Sequence, residues 1–235
     1  MKILPCGDAA VTVEFGNEIS PEIGAMVRAF RNNVEKSRIK GIIELIPTFR
    51  SVTVCYDPCI INYAKLTKKL TKLAPTGNEG ASSGGRIFVI PVCYDGDFGC
   101  DLESVAEFTG LDREEIIKRH TAPDYQIYML GFLPGFPYLG GLDKTIAAPR
   151  LESPRKEIPA GAVGIGGEQT GIYPLVSPGG WRLIGRTPVK VYDPNRAEPV
   201  LYAAGDYIRF KRIDMAEYEK IAADNNYKPE IIERK

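Results

Sequence analysis

One histidine and a run of cations among prolines and glycines are the residues of this 235-residue chain with the most chemistry to offer. Imidazole titrates near neutral pH, so His120 is a candidate general acid or base. It sits at a predicted helix end, because the residue before Pro123 avoids the helical region, and a histidine there also complements the helix dipole. Further along, Arg150, Arg155, Lys156, Arg182 and Arg186 stand beside or near prolines and glycines. A stiff backbone holds a fork-shaped guanidinium in one direction, which suits a carboxylate or a phosphate. Glu157 and Glu168 compete for these cations, and at least two cations are expected to stay free for ligand. Gln169, Thr170, Tyr173 and Ser177 add neutral donors and acceptors suited to an amide or carboxylate, with Phe136 and Trp181 as walls. The catalytic candidates are thus His120, Lys156 and Gln169, and the binding candidates Arg150, Arg155, Tyr173, Ser177 and Arg186.

Several standard machines are excluded. No G-x-x-x-x-G-K-[ST] segment occurs, and Gly164-Ile165-Gly166-Gly167-Glu168-Gln169 lacks the third glycine of G-x-G-x-x-G. No Gly-x-Ser-x-Gly elbow is present, and one histidine without an evident nucleophile does not make a triad.

The elements that must position these groups fall into two halves. Residues Ile3 to Phe15 read as strand with a turn at Cys6-Gly7-Asp8, and Pro21 opens a helix whose Ile23, Met26, Val27, Phe30 and Val34 keep helical spacing. Two strands follow, Ile42 to Ile46 and Ser51 to Tyr56. A helix around Asn62 to Leu73 then turns Leu66, Leu70 and Leu73 inward and Lys65, Lys68, Lys69 and Lys72 to solvent. The stretch from Ala74 to Gly85 has no apolar period and is rich in turn formers, so it is the expected linker between domains at 1–80 and 86–235. Arg86 to Tyr94 resumes as strand. Two short helices come next, the second capped by Asp112 with Glu115 three residues on. They resemble a helix-turn-helix only superficially, since six acidic residues around them oppose phosphate contact. Strands are then expected at Tyr125 to Leu130, Gly161 to Ile165, Gln169 to Tyr173, Arg182 to Gly185 and Ile208 to Ile213, before a closing helix from Asp214 to Asn225. The fold class is α+β: a small N-terminal α/β domain followed by a turn-rich β-barrel.

Thirty cations balance thirty carboxylates, so no global field recruits nucleic acid or an anionic membrane, and any anion must be held by a local cluster. With no apolar run near the roughly 20 residues of a membrane span and no signal segment, the expected compartment is the cytoplasm. The five cysteines, Cys6, Cys55, Cys59, Cys93 and Cys100, have spacings unlike a zinc knuckle, and free thiols without metal are expected.

The ordered motifs carry a resemblance. His120, Gly131-Phe132-Leu133-Pro134-Gly135-Phe136-Pro137-Tyr138-Leu139-Gly140-Gly141-Leu142, Pro149-Arg150, Ile158-Pro159-Ala160-Gly161, Gln169-Thr170-Gly171-Ile172-Tyr173-Pro174, Ser177-Pro178-Gly179-Gly180-Trp181 and Ile184-Gly185-Arg186-Thr187-Pro188 resemble the allophanate hydrolase subunit 1 family, also called the carboxyltransferase C/D-subdomain family. The resemblance spans essentially the whole chain and is strongest from His120 to Phe210. It implies a cyclophilin-like barrel for the second domain. It also implies a component of an ATP-dependent 5-oxoprolinase, in which B and C subunits activate the lactam of 5-oxoproline by phosphorylation and an A subunit assists opening to L-glutamate. ATP, shared with a partner chain and accompanied by magnesium, is the implied cofactor. The arginines and Lys156 would neutralise phosphoryl charge, while Gln169 and Tyr173 would orient the lactam or its carboxylate. The same family carries two other readings: a protein inhibitor of a sporulation histidine kinase, and a subunit of an allophanate hydrolase or urea amidolyase.

Overall fold

The computed structural model describes residues 1–75 and 85–234, in two compact units, Met1–Ser83 and Gly84–Lys235. Residues 76–84 of the expected linker lie outside the described residues.

In the first unit, strands β1 (Lys2–Pro5) and β2 (Ala10–Glu14) form a hairpin, and helix α1 (Pro21–Ser37) follows. Ser20 starts that helix by accepting the Ile23 N–H at 3.3 Å, satisfying one of the amides that the first turn leaves unpaired. Strands β3 (Ile42–Pro47) and β4 (Ser51–Tyr56) complete an antiparallel sheet in the order β1-β2-β4-β3. Helix α2 (Tyr63–Lys72) starts at Asn62, whose side-chain oxygen accepts the Lys65 N–H at 2.9 Å. Period-two alternation sends Val11, Val13, Val52 and Val54 to one face, where Val27, Phe30, Leu66 and Leu70 meet them in one buried cluster. The α2 lysines are exposed.

The second unit begins with β5 (Arg86–Cys93). Helices α3 (Leu102–Thr109) and α4 (Arg113–Thr121) come before β6 (Tyr125–Leu130), β7 (Pro137–Gly140), β8 (Arg155–Ile158), β9 (Ala162–Gly166) and β10 (Gln169–Ile172). After β11 (Ser177–Gly179), β12 (Arg182–Arg186) and β13 (Tyr207–Ile213) come helix α5 (Met215–Ala223) and β14 (Ile231–Glu233). Seven strands close a barrel in the ring β12-β9-β10-β7-β6-β13-β5, sealed where Arg186 pairs with Cys93. All its pairings are antiparallel except β5 with β13, which run parallel over Tyr207↔Ile87 to Ile213↔Cys93. Val163 and Ile165 of β9, Leu139 of β7, Phe88 and Ile90 of β5 and Phe210 of β13 fill the interior, joined by Leu102, Val105, Ile116 and Ile117 from α3 and α4.

The barrel closes imperfectly, because β12 meets β5 only at one residue pair. The segment just before α3 covers the edge left open. The Asp101 N–H donates to the Leu183 carbonyl at 2.9 Å, and the Leu183 N–H donates to Asp101 Oδ2 at 2.6 Å. An unpaired strand edge is thereby satisfied by one side chain and one peptide group.

Two expectations change. The chain does not close on a helix, since Ile231–Glu233 returns to pair antiparallel with Arg86 to Phe88 of β5. Strands β7, β8 and β11 were not expected, because each is three or four residues long and sits among prolines and glycines, where no alternation can register.

Candidate functional site

Alternation along β10 separates the predicted residues onto opposite faces of the sheet. Thr170 points into the barrel, and Gln169, Gly171 and Tyr173 point out. On the outer face lies a second small cluster: Phe136, Ile158, Ala162, Tyr173, Trp181 and Leu183, with Leu133 and Tyr138 at its margin. Its floor is glycine. A methyl carbon placed on Gly166 would come within 2.5 Å of Trp181 Nε1, and one on Gly171 within 3.1 Å of Phe136 and 3.2 Å of Trp181. The indole therefore lies flat against bare backbone. Phe136 is the hub of edge-on contacts, with ring centroids 5.4 Å from Tyr173, 5.5 Å from Trp181 and 5.2 Å from Tyr138. Phe132, which is 61% exposed and has a left-handed φ of 62°, meets Phe136 edge-on at 5.6 Å.

A cation borders this platform. The Arg150 guanidinium lies 5.9 Å from the Trp181 ring, is exposed, and makes no ion pair among the described residues. Burial pushes the Tyr173 hydroxyl above its ordinary range, while the Trp181 backbone N–H and the nearby Arg150 and Arg155 charges pull it back. A hydroxyl that accepts from Trp181 keeps its own proton to donate. Gln169 pairs in register with Gly166, so its side chain stands beside the indole. Arg150 and Tyr173 thus lie against Trp181, with Gln169 across from Gly166 and the Arg155 charge near enough to act on the Tyr173 hydroxyl. Ser177 lies on β11 directly across from Ile158. Its Oγ is buried with no hydrogen-bond partner among the described residues.

The other predicted groups are placed elsewhere. His120 is fully buried inside the barrel, stacked on Phe210 with centroids 4.6 Å apart. Its Nδ1 lies 2.8 Å from the Tyr94 hydroxyl and its Nε2 2.8 Å from Thr170 Oγ1. Thr170 Oγ1 spends its proton on the Gly164 carbonyl at 3.0 Å, so His120 Nε2–H must donate to it and Nδ1 must accept from Tyr94. Burial pulls the His120 pKa down to about 3; the ring stays neutral and ties Thr170 of β10 to Tyr94, the residue after β5. The helix-end position suggested a titrating imidazole, but α4 turns His120 alone of its last turn fully into the core.

Three predicted cations hold one segment. Arg155 Nη2 donates to Asp101 Oδ1 at 2.7 Å, Arg182 Nη1 to Ser104 Oγ at 2.7 Å, and the Arg186 guanidinium stacks 5.5 Å from Phe98 while its Nε donates to the Ala160 carbonyl. They fasten residues 98–104 over the open β12 edge. The carboxylate that takes Arg155 is Asp101, not Glu157, and Glu168 pairs with Lys144 at 3.7 Å. Lys156 is exposed on β8 without an ion pair among the described residues. Arg155 Nη1 is buried without a partner. Arg150, Lys156 and Arg186 make no ion pair among the described residues, and Arg150 lies on the aromatic platform.

Asp101 and the glycine floor escaped sequence reading. Gly164-Ile165-Gly166 carried a usable signal, since glycine alternating with a core residue in a strand marks a face pressed by something bulky. The Asp101 role carried none, because its partners are distant in sequence.

All five cysteines are free. No helix among the described residues is long and apolar enough to cross a membrane.

A closed barrel with an aromatic and cationic patch on its outer face, built from the ordered Gly/Pro motifs, defines the class. Residues 1–202 match the family described as carboxyltransferase domain, subdomain C and D, and the chain belongs to that family. It is 44% identical to the 5-oxoprolinase B subunit of Bacillus subtilis (strain 168), over 94% of this chain and 96% of that protein. It is 40% identical to the 5-oxoprolinase B subunit of Haemophilus influenzae, over 89% of this chain and 97% of the relative. The fold matches the solved urea carboxylase of Kluyveromyces lactis with a TM-score of 0.81 at 24% identity, over 98% of this chain and 24% of that one.

Proposed function

We propose that this chain is the B subunit of an ATP-dependent 5-oxoprolinase, which converts 5-oxo-L-proline to L-glutamate with partner C and A subunits in the cytoplasm. The observation that carries this reading is the end-to-end similarity to 5-oxoprolinase B subunits, with 94% of this chain and 96% of the Bacillus relative aligned at 44% identity. The outer-face platform supports it. A lactam ring is flat and partly apolar, suited to the Trp181 and Phe136 rings, and its carboxylate or a phosphoryl oxygen suits the unpaired Arg150. Gln169 offers an amide to the lactam N–H or carbonyl. Tyr173, held neutral, offers a proton for an oxygen that gains charge.

The residues present fit a phosphoryl group better than a whole nucleotide: Arg150 and Lys156 can meet negative charge, and the chain has no glycine-rich phosphate loop. ATP, when bound in the complex, phosphorylates the lactam oxygen and so turns a stable amide into one with a leaving group. Among the described residues no group of three His, Cys, Asp or Glu side chains gathers to hold a metal. An accompanying magnesium ion would draw its ligands from the nucleotide and a partner chain. His120, sealed in the barrel, would serve by holding β10 and therefore Gln169 in place.

The isolated chain should hydrolyse no ATP in response to 5-oxoproline, and co-purification with C and A subunits should restore that activity. Turnover by the chain alone, or none by the reconstituted complex, would sink the proposal.

A further inference from the structure

A cavity of about 830 Å³ in the barrel unit has no residue of the aromatic platform in its lining. It opens between the loop after β12, the last turn of α5 and the segment leading to β14. Part of its wall, from Ile221 to Ile231, lies beyond the residues matched by the family, 1–202. Its size is that of ligand pockets, on the order of 300–1,000 Å³.

The lining has two characters. Val189, Leu201, Ile221 and Tyr227 supply an apolar floor. Around it stand Lys190, Arg196 and Lys228, and Asp193, Glu198 and Asp224. These six charges are of both signs, yet none makes an ion pair among the described residues. Asp193 and Asp224 each spend one oxygen on the N–H two residues ahead, at 2.9 Å in both cases, which fixes the carboxylate direction and leaves the second oxygen free. Arg196 is likewise fixed, with Nη2 on the Pro199 carbonyl at 2.9 Å and Nε buried without a partner. Local bonds therefore fix Asp193, Asp224 and Arg196 in direction, while Lys190, Glu198 and Lys228 stand exposed around them. A ligand that carries both signs of charge on an apolar body matches the fixed carboxylates, the fixed guanidinium and the apolar floor together.

We propose that this cavity binds a zwitterion with an apolar body, namely a free amino acid with a large aliphatic side chain. Its carboxylate lies toward Arg196 and the lysines, its ammonium toward Asp193 and Asp224, and its side chain against Leu201 and Ile221. The neutral sum of the lining selects against ligands of one sign, because each would leave the opposite charges facing it.

Titration calorimetry of the full chain tests this with L-leucine, N-acetyl-L-leucine, which keeps only the carboxylate, and L-leucinamide, which keeps only the ammonium. Saturable L-leucine binding at least about tenfold tighter than either analogue is expected, the loss of one charge-assisted contact being worth that much. Leucine-induced NMR shifts should fall within residues 188–201 and 221–231. Ala222→Trp and Ala197→Trp fill the cavity from opposite walls at exposed positions. With melting temperature unchanged, each should weaken leucine binding about tenfold or more. No saturable binding of leucine, equal affinity for the analogues, shifts elsewhere, or full binding by both tryptophan variants would each overturn the proposal. Since the readout is binding by this chain alone, its failure is separate from failure of the 5-oxoprolinase reading.

Discussion

The Arg155 guanidinium and the Asp101 carboxylate meet at 2.7 Å, and the same carboxylate accepts the Leu183 N–H at 2.6 Å. Asp101 is nearly buried, with its side chain 9% exposed, and these two donors satisfy both of its oxygens. The pair is a joint between the segment before α3 and the open β12 edge. An arginine read from sequence as a ligand contact is first of all part of the barrel's closure.

Arg155→Ala should therefore destabilise the isolated chain by about 1–3 kcal/mol, the cost of leaving a buried acceptor short of its partner. Urea unfolding of Arg155→Ala, Asp101→Asn and the double variant measures this, and the two single effects should fail to add. If Arg155 serves only a ligand, the unfolding midpoint stays at the wild-type value.

Gly166 and Trp181 give a second test. Any side chain on Gly166 drives into the indole, at 2.5 Å for the first carbon. Gly166→Ala should cost about 1–3 kcal/mol, the usual range for overpacking. Since Trp181 is the only tryptophan, its fluorescence should shift to the red as the ring lifts toward water. An unchanged spectrum would mean that the indole does not rest on this strand.

Legibility followed the range of each interaction. Helices α1, α2 and α4 were readable because their signals are local: Pro21 and an apolar stripe for α1, the Leu66/Leu70 stripe for α2, and the Asp112 cap, which accepts the Glu115 N–H, for α4. The turn-rich half announced a barrel, but not that Thr170 and Gln169, adjacent in sequence, serve a buried histidine on one face and an outer platform on the other. Alternation puts adjacent strand residues on opposite faces, but which face is the interior depends on pairings with strands distant in sequence. The pairing of Arg155 with Asp101 spans 54 residues, and nothing local favoured it over Glu157.

His120 sets an acid limit on stability. Its folded pKa, about 3, lies below the ordinary histidine value of 6.5, so the unfolded chain binds the extra proton between these values. Stability is therefore highest above about pH 6.5 and falls as pH drops toward 3. His120→Gln can bond Tyr94 and Thr170 without titrating, and should lose this part of the slope although it is less stable at pH 7. As the only histidine, its ring nitrogens are assigned without ambiguity in ¹⁵N spectra: the Nε2–H tautomer should persist at pH 5. Protonation near pH 6.5 would show that the ring is exposed to water.

Arg150 and Gln169 separate binding from folding. Arg150 is exposed and unpaired beside Trp181, so Arg150→Gln should move stability by under about 0.5 kcal/mol, as substitutions at such surfaces do. In the reconstituted enzyme it should weaken transition-state binding by about 1.5–3 kcal/mol, roughly tenfold to a hundredfold in kcat/KM, if its charge meets a carboxylate or phosphoryl oxygen. Gln169→Ala removes a neutral contact from the same face and should cost less, about 0.5–1.5 kcal/mol, again with the fold intact. Lys156→Gln places β8 in or out of the same site by the same comparison. The contrast with Arg155→Ala is the discriminating measurement, because that variant loses stability in the isolated chain while Arg150→Gln loses only activity in the complex. Full activity in both Arg150→Gln and Gln169→Ala would remove the outer platform from the reaction.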